Sequence, residues 1–378
     1  MRITILGSGL VGRSIAYRLI LGGLFDDVIV VDVSERNLKA VRKLCGDKIK
    51  TVRANVLKQL EDIVSGSDIV SCALPGSISF EVCRRVLELG ISVVDSSYMP
   101  QDPFQLDDTA RDKGVVYIPD AGFAPGISNI VVGYFLSKSN NLKSIRIYVG
   151  GLPTEPVGPF AHLVNWSLLD FIDEYLRPAR IIRNGKIVSV DPLSDVEIVE
   201  IRGTKYEAFY TDGLRTLLKT VRAENMFEKT IRYPGHIERM RFLREIGLLS
   251  DITMDLNGAR IPARKILENI LRRHVYRPDM RDKVVLYIIA EGKEKSFEAY
   301  LEEFYDESLG LSAMARTTGF TNAILCEAVI EKIREKGVFP PEYVGMEYMD
   351  YFMARIGKHI RITISENNPN LYKDKHKN

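Results

Sequence analysis

A glycine-rich turn between two apolar runs, in residues 3–32, constrains this chain more than any other feature. Glycines stand at positions 7, 9 and 12, directly after the first apolar run (ITIL), and a helical stretch follows them. At this spacing the first glycine permits a tight strand-to-helix turn, the second lets the backbone approach a diphosphate, and the third allows close packing of helix on sheet. The pattern therefore predicts a dinucleotide-binding βαβ unit with the diphosphate at the helix N-terminus.

An acid at the end of the second apolar run strengthens this prediction. Asp32 follows Gly12 by twenty residues, where a carboxylate can accept hydrogen bonds from the adenosine ribose hydroxyls. A 2′-phosphate would meet a like charge there, so we predict NAD rather than NADP, although the nearby Arg36 weakens that preference. The alternative is a glycine-rich turn in an unrelated α/β protein.

Composition excludes several classes of protein. The 378 residues include 52 Lys and Arg against 50 Asp and Glu, so no nucleic acid or anionic membrane is expected as a partner. The four cysteines form no CxxC pair, which is typical of free thiols in a reducing compartment. No uncharged apolar stretch approaches the length of a membrane span. We therefore expect a cytoplasmic protein.

Strand-like and helix-like patterns alternate over the first third of the chain, which predicts a Rossmann-type doubly wound parallel sheet. Ligands of such sheets bind at the carboxyl ends of the strands. The residues at these ends are the predicted cofactor contacts: Gly7, Ser8, Gly9, Leu10, Val11, Gly12, Asp32, Val33, Ala54, Asn55, Ala73, Leu74, Pro75, Asp95, Ser96, Gly122 and Phe123.

The pattern changes near residue 126. Short strand-like runs follow one another with turn residues between them, and helical stretches interrupt them at 236–247 and 262–274. This order predicts a second domain of α+β type, built on a mainly antiparallel sheet. The polar C-terminal tail, residues 359–378, is expected to be frayed or disordered.

Several sequence blocks together resemble the saccharopine dehydrogenase-like family, and most strongly its archaeal and bacterial L-lysine 6-dehydrogenase branch. The blocks are ALPG (73–76), DSSYMP (95–100), DAGFAPGISN (120–129), YVGGLP (148–153), NWSLLDFIDEYLRPARIIRNGK (165–186), TDGLR (211–215), TIRYPGH (230–236), ARTTGF (315–320) and GVFPPEYVG (337–345). The resemblance implies that residues 1–125 and 310–358 form the NAD-binding domain, with an inserted substrate and oligomerisation domain at 126–309.

The chain departs from the saccharopine reductases at three positions. Ala124 stands where they place an aspartate beside the substrate, Arg84 replaces a lysine, and Asn129 replaces a histidine. The lysine dehydrogenase branch resembles this chain at Ala124 and Asn129. The resemblance therefore implies NAD-dependent oxidative deamination of L-lysine at its ε-carbon, giving the semialdehyde and ammonia.

Three residues are candidates for catalysis. Asp120 follows the sixth strand, and the resemblance places a glutamate of saccharopine reductases there; the alternative is an aspartate that caps a helix or turn. His236 follows the TIRYPG run and is a candidate acid or base, although most histidines in loops or cores have no catalytic part. Tyr98, at a strand end, would close over the nicotinamide or serve in packing.

Substrate binding calls for groups that hold a carboxylate. Arg215 and Arg232 are candidates because a guanidinium binds a carboxylate with two hydrogen bonds, although a surface ion pair is the commoner role. Asn129 is a third candidate through the resemblance. His, Cys, Asp and Glu show no metal-ligand spacing, so we predict no metal.

Other functions remain open from the sequence. Saccharopine dehydrogenase and a homospermidine synthase-like transferase are alternatives within the same family, and a non-catalytic NAD-binding protein is a third. The substrate is expected to be a small amino acid, and the assembly a homodimer or homotetramer.

Overall fold

A computed structural model describes residues 1–139, 141–277 and 279–367 of the chain. Contacts between residues divide it into two compact units. The first comprises the chain up to residue 139 together with residues 306–362, and the second comprises residues 141–305 and the C-terminal residues from 363. The chain thus leaves the first unit and later returns to it.

The elements follow one another in the order below. Residues 1–139 contain β1 (Arg2–Leu6), α1 (Leu10–Gly22), β2 (Asp27–Asp32), α2 (Glu35–Cys45), β3 (Lys50–Arg53), α3 (Val56–Val64), β4 (Ile69–Cys72), α4 (Gly76–Glu88), β5 (Ser92–Asp95), α5 (Asp107–Asp112), β6 (Val116–Ile118) and α6 (Ile127–Lys138), with short 3₁₀ helices at Gly46–Lys48 and Pro103–Leu106. The described part of residues 141–305 contains β7 (Leu142–Pro153), α7 (Leu168–Asp173), β8 (Ala179–Arg183), β9 (Lys186–Val190), β10 (Glu197–Ile201), β11 (Thr204–Tyr210), α8 (Leu217–Thr220), β12 (Asn225–Arg232), α9 (His236–Glu245), β13 (Thr253–Leu256), β14 (Ala259–Pro262), α10 (Ala263–His274), β15 (Asp282–Gly292) and β16 (Ser296–Phe304). Residues 306–367 contain α11 (Ala313–Glu331), β17 (Gly337–Val338), α12 (Pro341–Glu347), α13 (Met349–Ile356) and β18 (Thr363–Asn367).

The first unit is built on a parallel sheet of seven strands in the order β17-β6-β5-β4-β1-β2-β3. The strand β4 (IVSC) is buried along its whole length, as expected for a parallel strand covered on both faces. Strand order reverses direction between β1 and β4, and the carboxyl ends on either side of such a switch point form a crevice for ligands. The predicted doubly wound sheet is confirmed.

The second unit is built on a nine-stranded sheet that is antiparallel except where β12 pairs with β7. Its main path runs β10-β11-β12-β7-β15-β16-β18, and β8 and β9 form a branch from β12. The hairpin β13–β14 makes a separate two-stranded sheet. The mainly antiparallel sheet predicted for this unit is confirmed.

Two details differ from the expectations. The helix α6 lies in the first unit, whereas the predicted boundary at 125/126 put it in the second, because the backbone of Gly133 packs against that of Glu342 in α12. The tail predicted to be frayed contains β18, which pairs with β16 over Thr363–Asn367. The rest of the predicted tail, residues 368–378, lies outside the described residues. Among the described residues, no helix is both long and apolar enough to cross a membrane.

A buried ion pair joins α1 to the returning helix α11. Arg18 Nη1 lies 2.9 Å from Glu327 Oε1, and both side chains are only 4% exposed. Glu327 also binds Arg355 at 3.2 Å, so one carboxylate serves two guanidinium groups. A charge buried in this way is costly unless its partner is present.

We therefore expect Glu327→Ala to destabilise the first unit by about 3–5 kcal/mol, because Arg18 would remain buried without its partner. Glu331→Ala is the matched control, since Glu331 also binds Arg355, at 2.6 Å, but is 34% exposed. That variant should lose no more than about 1 kcal/mol. Denaturant unfolding followed by circular dichroism measures both, and equal losses would contradict the argument.

A fully buried polar cluster lies below the carboxyl edge of the parallel sheet, formed by Cys72, Ser79, Cys83 and Asp95. The Ser79 hydroxyl donates to Asp95 Oδ2 at 2.9 Å and lies 3.5 Å from Cys72 Sγ. The main-chain N–H of Ser97 donates to the other oxygen of Asp95, also at 2.9 Å. Burial raises the pKa of the Asp95 carboxyl to about 6, although these hydrogen bonds favour its charged form.

Stability should consequently fall, through Asp95, as the pH rises from about 4 to about 6. The unfolded chain releases this proton near the ordinary carboxyl pKa of about 4, whereas the folded chain keeps it up to a pH of about 6. Between these two pH values the free energy of unfolding therefore falls by roughly 3 kcal/mol at most. Asp95→Asn keeps an oxygen for the Ser97 N–H and removes the titration. We expect its unfolding midpoint, relative to wild type, to be higher near neutral pH than near pH 4.

The quantity to compare is the difference in unfolding midpoint between Asp95→Asn and wild type at each pH. The contributions of the other titrating groups are the same in both proteins and cancel in that difference. His236 makes this necessary, since burial lowers its pKa to about 3 and its contribution has the opposite sign: stability through His236 falls as the pH drops from about 6.5. A difference that does not change with pH would show that Asp95 does not hold its proton as inferred.

Candidate functional site

The glycine turn at the start of α1 has the geometry of a diphosphate cradle. Gly7 adopts φ +97°, and a Cβ there would lie 2.3 Å from the carbonyl oxygen of Ala73. A Cβ on Gly12 would lie 2.0 Å from the carbonyl oxygen of Gly7, so helix and turn are in backbone contact. A Cβ on Gly9 would meet no atom within 4 Å. The open position is thus the one that a diphosphate would approach.

Asp32 is tied to this turn by hydrogen bonds. Its Oδ2 accepts from the main-chain N–H of Ser8 at 2.8 Å and from the Ser8 hydroxyl at 3.0 Å, and its Oδ1 accepts from the Ser34 N–H at 2.8 Å. Val33, the next residue, is 58% exposed at the same edge. The residues present therefore fit a dinucleotide, with a carboxylate where the ribose hydroxyls would lie.

The other predicted cofactor contacts follow the ends of neighbouring strands. Leu10 and Val11 open α1 and are half-buried. Asn55 caps α3 by accepting from the Leu57 N–H at 3.0 Å, and Ala54 before it is buried. Ala73 and Leu74 are half-buried after β4, and Pro75 is exposed before α4. Their cofactor contacts stay predictions.

Asp95, the last residue of β5, and Ser96, the residue after it, differ in whether the side chain is free to contact a cofactor. The Ser96 hydroxyl donates to the carbonyl oxygen of Cys72 at 3.1 Å and remains half-buried. Asp95 instead directs its carboxylate into the buried cluster described above, and its carbonyl oxygen accepts from the Ala121 N–H. This geometry favours a structural role for the Asp95 side chain, because both its oxygens have donors within the core.

Asp120 lies after β6 in a tight, buried turn. It is 2% exposed and adopts φ +53°, a left-handed conformation that costs a residue other than glycine of order 1–3 kcal/mol. The N–H of Gly122 donates to the carbonyl oxygens of Asp120 at 2.9 Å and of Pro125 at 3.1 Å, which closes the turn. Phe123 within it is buried. Such conformations cluster at functional sites, so this observation supports Asp120 as a site residue.

Tyr98 and Asn129 also lie in the first unit, in different surroundings. Tyr98 is half-buried, and its carbonyl oxygen is so close to Gly76 that no Cβ would fit there. Asn129 is fully buried: its Oδ1 accepts from the Gly126 N–H, and its Nδ2 donates to Glu342 at 3.2 Å. Asn129 thus fixes the start of α6 to α12, a structural role that the sequence did not indicate.

His236 and Arg232 belong to one buried network in the second unit. His236 Nδ1 donates to the carbonyl oxygen of Phe160 at 2.7 Å, which leaves Nε2 to accept from the Tyr175 hydroxyl at 2.7 Å. Arg232 Nε donates to the Tyr175 oxygen at 3.3 Å, and its Nη2 lies 2.5 Å from Glu174. Burial and the Arg232 charge lower the pKa of His236 to about 3, so the imidazole is neutral and both its nitrogens are occupied.

This network changes how the second-unit candidates are interpreted. A histidine held neutral in this way is poorly suited to acid–base work near neutral pH. Arg232 is 2% exposed and already has a carboxylate partner in Glu174. Arg215 is buried and adopts φ +51°, which is also a left-handed conformation. Of the three, only Arg215 keeps a geometry that itself suggests function.

Sequence reasoning overlooked several residues of these sites. Glu174 and Tyr175 belong to the 165–186 block, which was noted only for its resemblance. Thr318, in the ARTTGF block, brings α11 to the Asp120 turn: its Cγ2 would lie 3.4 Å from a Cβ on Gly122. The sequence blocks that contain these three residues were noticed. No local sequence pattern, however, showed which of their side chains contact the candidate residues.

The fold also brings together a group with metal-ligand atoms. Cys72, Cys83 and Asp95, which are 11 and 12 residues apart in sequence, offer atoms within 4.8 Å of one another. Burial raises the pKa of the Cys83 thiol well above its ordinary value, which disfavours the thiolate that a metal requires. The absence of a metal stays a prediction.

Comparisons with known proteins identify the family. Residues 3–118 match the model of the saccharopine dehydrogenase NADP binding domain, and residues 122–362 match that of the saccharopine dehydrogenase C-terminal domain. The chain is similar in fold to the apo saccharopine dehydrogenase (L-Glu forming) of Saccharomyces cerevisiae, with a TM-score of 0.79, 21% identity, and coverage of 97% of this chain and 99% of that one.

Three relatives found by sequence are 21–24% identical and differ in how much of their own length this chain matches. The saccharopine dehydrogenase [NADP(+), L-glutamate-forming] of Pyricularia oryzae is 24% identical over 71% of this chain and 63% of its own length. The carboxyaminopropylagmatine dehydrogenase of Synechocystis is 21% identical over 94% of this chain and 95% of its own. The mitochondrial alpha-aminoadipic semialdehyde synthase of Rattus norvegicus is 24% identical over 66% of this chain, which spans only 28% of that protein's length.

Both family models together cover nearly all of the described chain, and the glycine turn and Asp32 form the dinucleotide edge that the first model implies. A nicotinamide dinucleotide is thus the cofactor class that this domain supports. The chain belongs to the saccharopine dehydrogenase family.

Proposed function

We propose that this protein is an NAD-dependent dehydrogenase that oxidises the side-chain amine of an amino acid, L-lysine at its ε-carbon. The observation that carries the proposal is Asp120, a buried acid held in a left-handed conformation at the carboxyl end of β6. The aspartate that saccharopine reductases place beside their substrate is Ala124 in this chain. Asp120 is therefore the acid available within this turn for an amine.

The reaction converts a primary ammonium, NAD⁺ and water into an aldehyde, an ammonium ion, NADH and a proton. Bound NAD⁺ would supply the hydride acceptor. The chain supplies the rest: the turn from Gly7 to Gly12 and Asp32 bind and orient the dinucleotide, and Asp120 removes a proton from the substrate ammonium. Arg215, in the second unit, keeps its predicted part in binding a carboxylate.

A second candidate, saccharopine dehydrogenase activity, is favoured by different observations. The yeast protein of that name shares the fold over almost the whole chain, and the Pyricularia relative carries the same activity in its name. Ala124 and the buried position of Asn129 favour the lysine reaction, because neither residue places a charge at those positions of the turn and α6.

A scan of amines separates these candidates. Purified protein is supplied with NAD or NADP and with lysine, saccharopine or a diamine, and the NADH absorbance is followed. Reduction of NAD by lysine alone supports the proposal, and reduction that requires saccharopine supports the second candidate. Diamine transfer that needs NAD but yields no net NADH would indicate a transferase, and binding without turnover would indicate a non-catalytic protein.

We expect NAD to be preferred over NADP because the Asp32 carboxylate would face the 2′-phosphate. Asp32→Ala should lower the ratio of kcat/KM for NAD to that for NADP by roughly tenfold, or about 1.4 kcal/mol. Glu35→Ala is the control, since Glu35 is an acid three residues away, at the start of α2, and pairs with Arg42. The control should leave the ratio unchanged, and a wild type that used NADP with the higher kcat/KM would refute the interpretation of Asp32.

We expect Asp120→Asn to lower kcat by roughly a hundredfold if Asp120 is the general base. Asparagine keeps the size of the side chain and tolerates a left-handed conformation, so the turn should persist. Affinity for NAD should be nearly unchanged, and Asp108→Asn, at an exposed acid of α5, should behave as wild type.

The kinetic pattern of Asp120→Asn distinguishes the possible roles. A rise in KM for the amine at constant kcat would make Asp120 an anchoring charge rather than a base. Both parameters within about twofold of wild type would leave Asp120 with a structural role only.

A further inference from the structure

A strap, residues 155–163, lies between β7 and α7 in the second unit. Its first five residues are exposed. The chain is tied down on either side of the strap: the Tyr233 hydroxyl donates to the carbonyl oxygen of Thr154 at 3.0 Å, and Val164 forms a β-bridge with Tyr276. The strap is thus fixed at both ends, and the contacts of its middle decide whether it can move.

One hydrogen bond holds the middle of the strap. His236, at the start of α9, donates from Nδ1 to the carbonyl oxygen of Phe160 at 2.7 Å. Among the described residues, no other hydrogen bond or ion pair links residues 155–163 to the rest of the unit. The Phe160 ring also lies edge-on to the His236 ring, with the centroids 6.5 Å apart. The closed position therefore depends on this single hydrogen bond and on apolar packing.

Two features make the closed position costly. Ala161 adopts φ +50°, a left-handed conformation that is unfavourable for a residue with a Cβ. His162 is 1% exposed, and neither of its ring nitrogens has a hydrogen-bond partner among the described residues. A neutral imidazole carries one donor and one acceptor, and burying both without partners costs free energy. An opened strap would remove both costs, because Ala161 could relax and His162 could bind water.

The His162 ring covers part of the buried network that contains His236. It stacks on Phe171 of α7, with ring centroids 5.5 Å apart and planes 16° apart. It also meets the His236 ring in a T-shaped contact at 5.2 Å. Opening of the strap would withdraw His162 from both rings and so uncover the network from that side.

The groups that face His162 oppose its protonation while the strap is closed. Arg232 on β12 is positively charged, and His236 on α9 would add a second positive charge if it were protonated. The carboxylate of Glu174, which follows α7, is already bound to Arg232 at 2.5 Å. Burial raises the pKa of the adjacent Tyr175, which is therefore neutral. Burial, Arg232 and His236 together lower the pKa of His162 well below its ordinary value.

We propose that the strap opens as His162 takes up a proton, so that it is a pH-sensitive cover over this network. In the closed strap His162 stays neutral, whereas in an open strap it titrates near its ordinary pKa of about 6.5. The closed state is therefore fully favoured above that pH and loses stability as the pH falls through it. For one such group, the ratio of open to closed strap should rise roughly tenfold between pH 7.5 and pH 5.5. This behaviour is independent of the reaction proposed above.

Cleavage of the full chain by chymotrypsin after Phe160 tests the proposal, because the protease needs an accessible strap. At each pH the rate is divided by the rate for a synthetic peptide of residues 154–165, which cancels the pH dependence of the protease itself. The divided rate should rise roughly tenfold from pH 7.5 to pH 5.5 in wild type. His274→Phe, at an exposed histidine of α10, should behave in the same way.

His162→Phe is the decisive variant. Phenylalanine can keep the stacking on Phe171 and cannot take up a proton, so the divided rate should stay low at both pH values. Fragment masses separate cleavage after position 160 from cleavage after position 162. A rate that rises in His162→Phe as it does in wild type, or a wild-type rate that does not change with pH, would overturn the proposal.

Two further controls keep the test decisive. Cleavage at bonds outside the strap should not rise in parallel in wild type, and a parallel rise would show general loosening of the unit instead of strap opening. If His162→Phe does not fold, His162→Gln replaces it, and a tenfold rise in that variant would likewise refute the proposal. Far-UV circular dichroism and the emission of Trp166, the single tryptophan, which lies 6.3 Å from Phe171, establish that each variant is folded.

Discussion

No side chain fits at Gly7 or Gly12, and the position of the whole dinucleotide edge depends on that constraint. A Cβ at either glycine would lie within 2.3 Å of a carbonyl oxygen, so the end of β4, the turn and the start of α1 touch through their backbones. Asp32 is bonded to the same turn through Ser8. The groups for ribose and diphosphate are therefore held by one rigid element rather than by separate loops.

The parts of the fold that the sequence predicted are those with strong local signals. The apolar runs of the parallel sheet alternate with amphipathic helices, and both periodicities are visible in a single window. The hairpin β13–β14 and the strand β18 were missed for a physical reason. Their residues are mostly exposed, so they lack the apolar alternation of a half-buried strand, and β18 exists through pairing with β16, more than sixty residues earlier in the chain.

The candidate site, like the fold, has one part that the sequence predicted well and another part that it did not. The cofactor edge follows from a local motif, and its geometry agrees with the motif. His236 was selected for its place after the TIRYPG run and Arg232 for its guanidinium, yet here both are hydrogen-bonded to Tyr175, and Arg232 also pairs with Glu174. Buried polar groups must be hydrogen-bonded whether or not they are catalytic. Polarity in an apolar context therefore cannot distinguish a reactive group from a structural one without the long-range partners.

Backbone conformation is the observation that favours Asp120 in the proposed function. The left-handed φ of +53° costs a non-glycine residue free energy that a glycine would avoid, and the hydrogen bonds of the Gly122 N–H hold the turn in place. An aspartate at such a position retains the cost together with its carboxylate, which supports the proposed role of the side chain. His236 has no comparable strain at its own backbone, and its two ring nitrogens are both bonded. The proton chemistry of the proposed reaction is accordingly assigned to the unit that carries the dinucleotide edge.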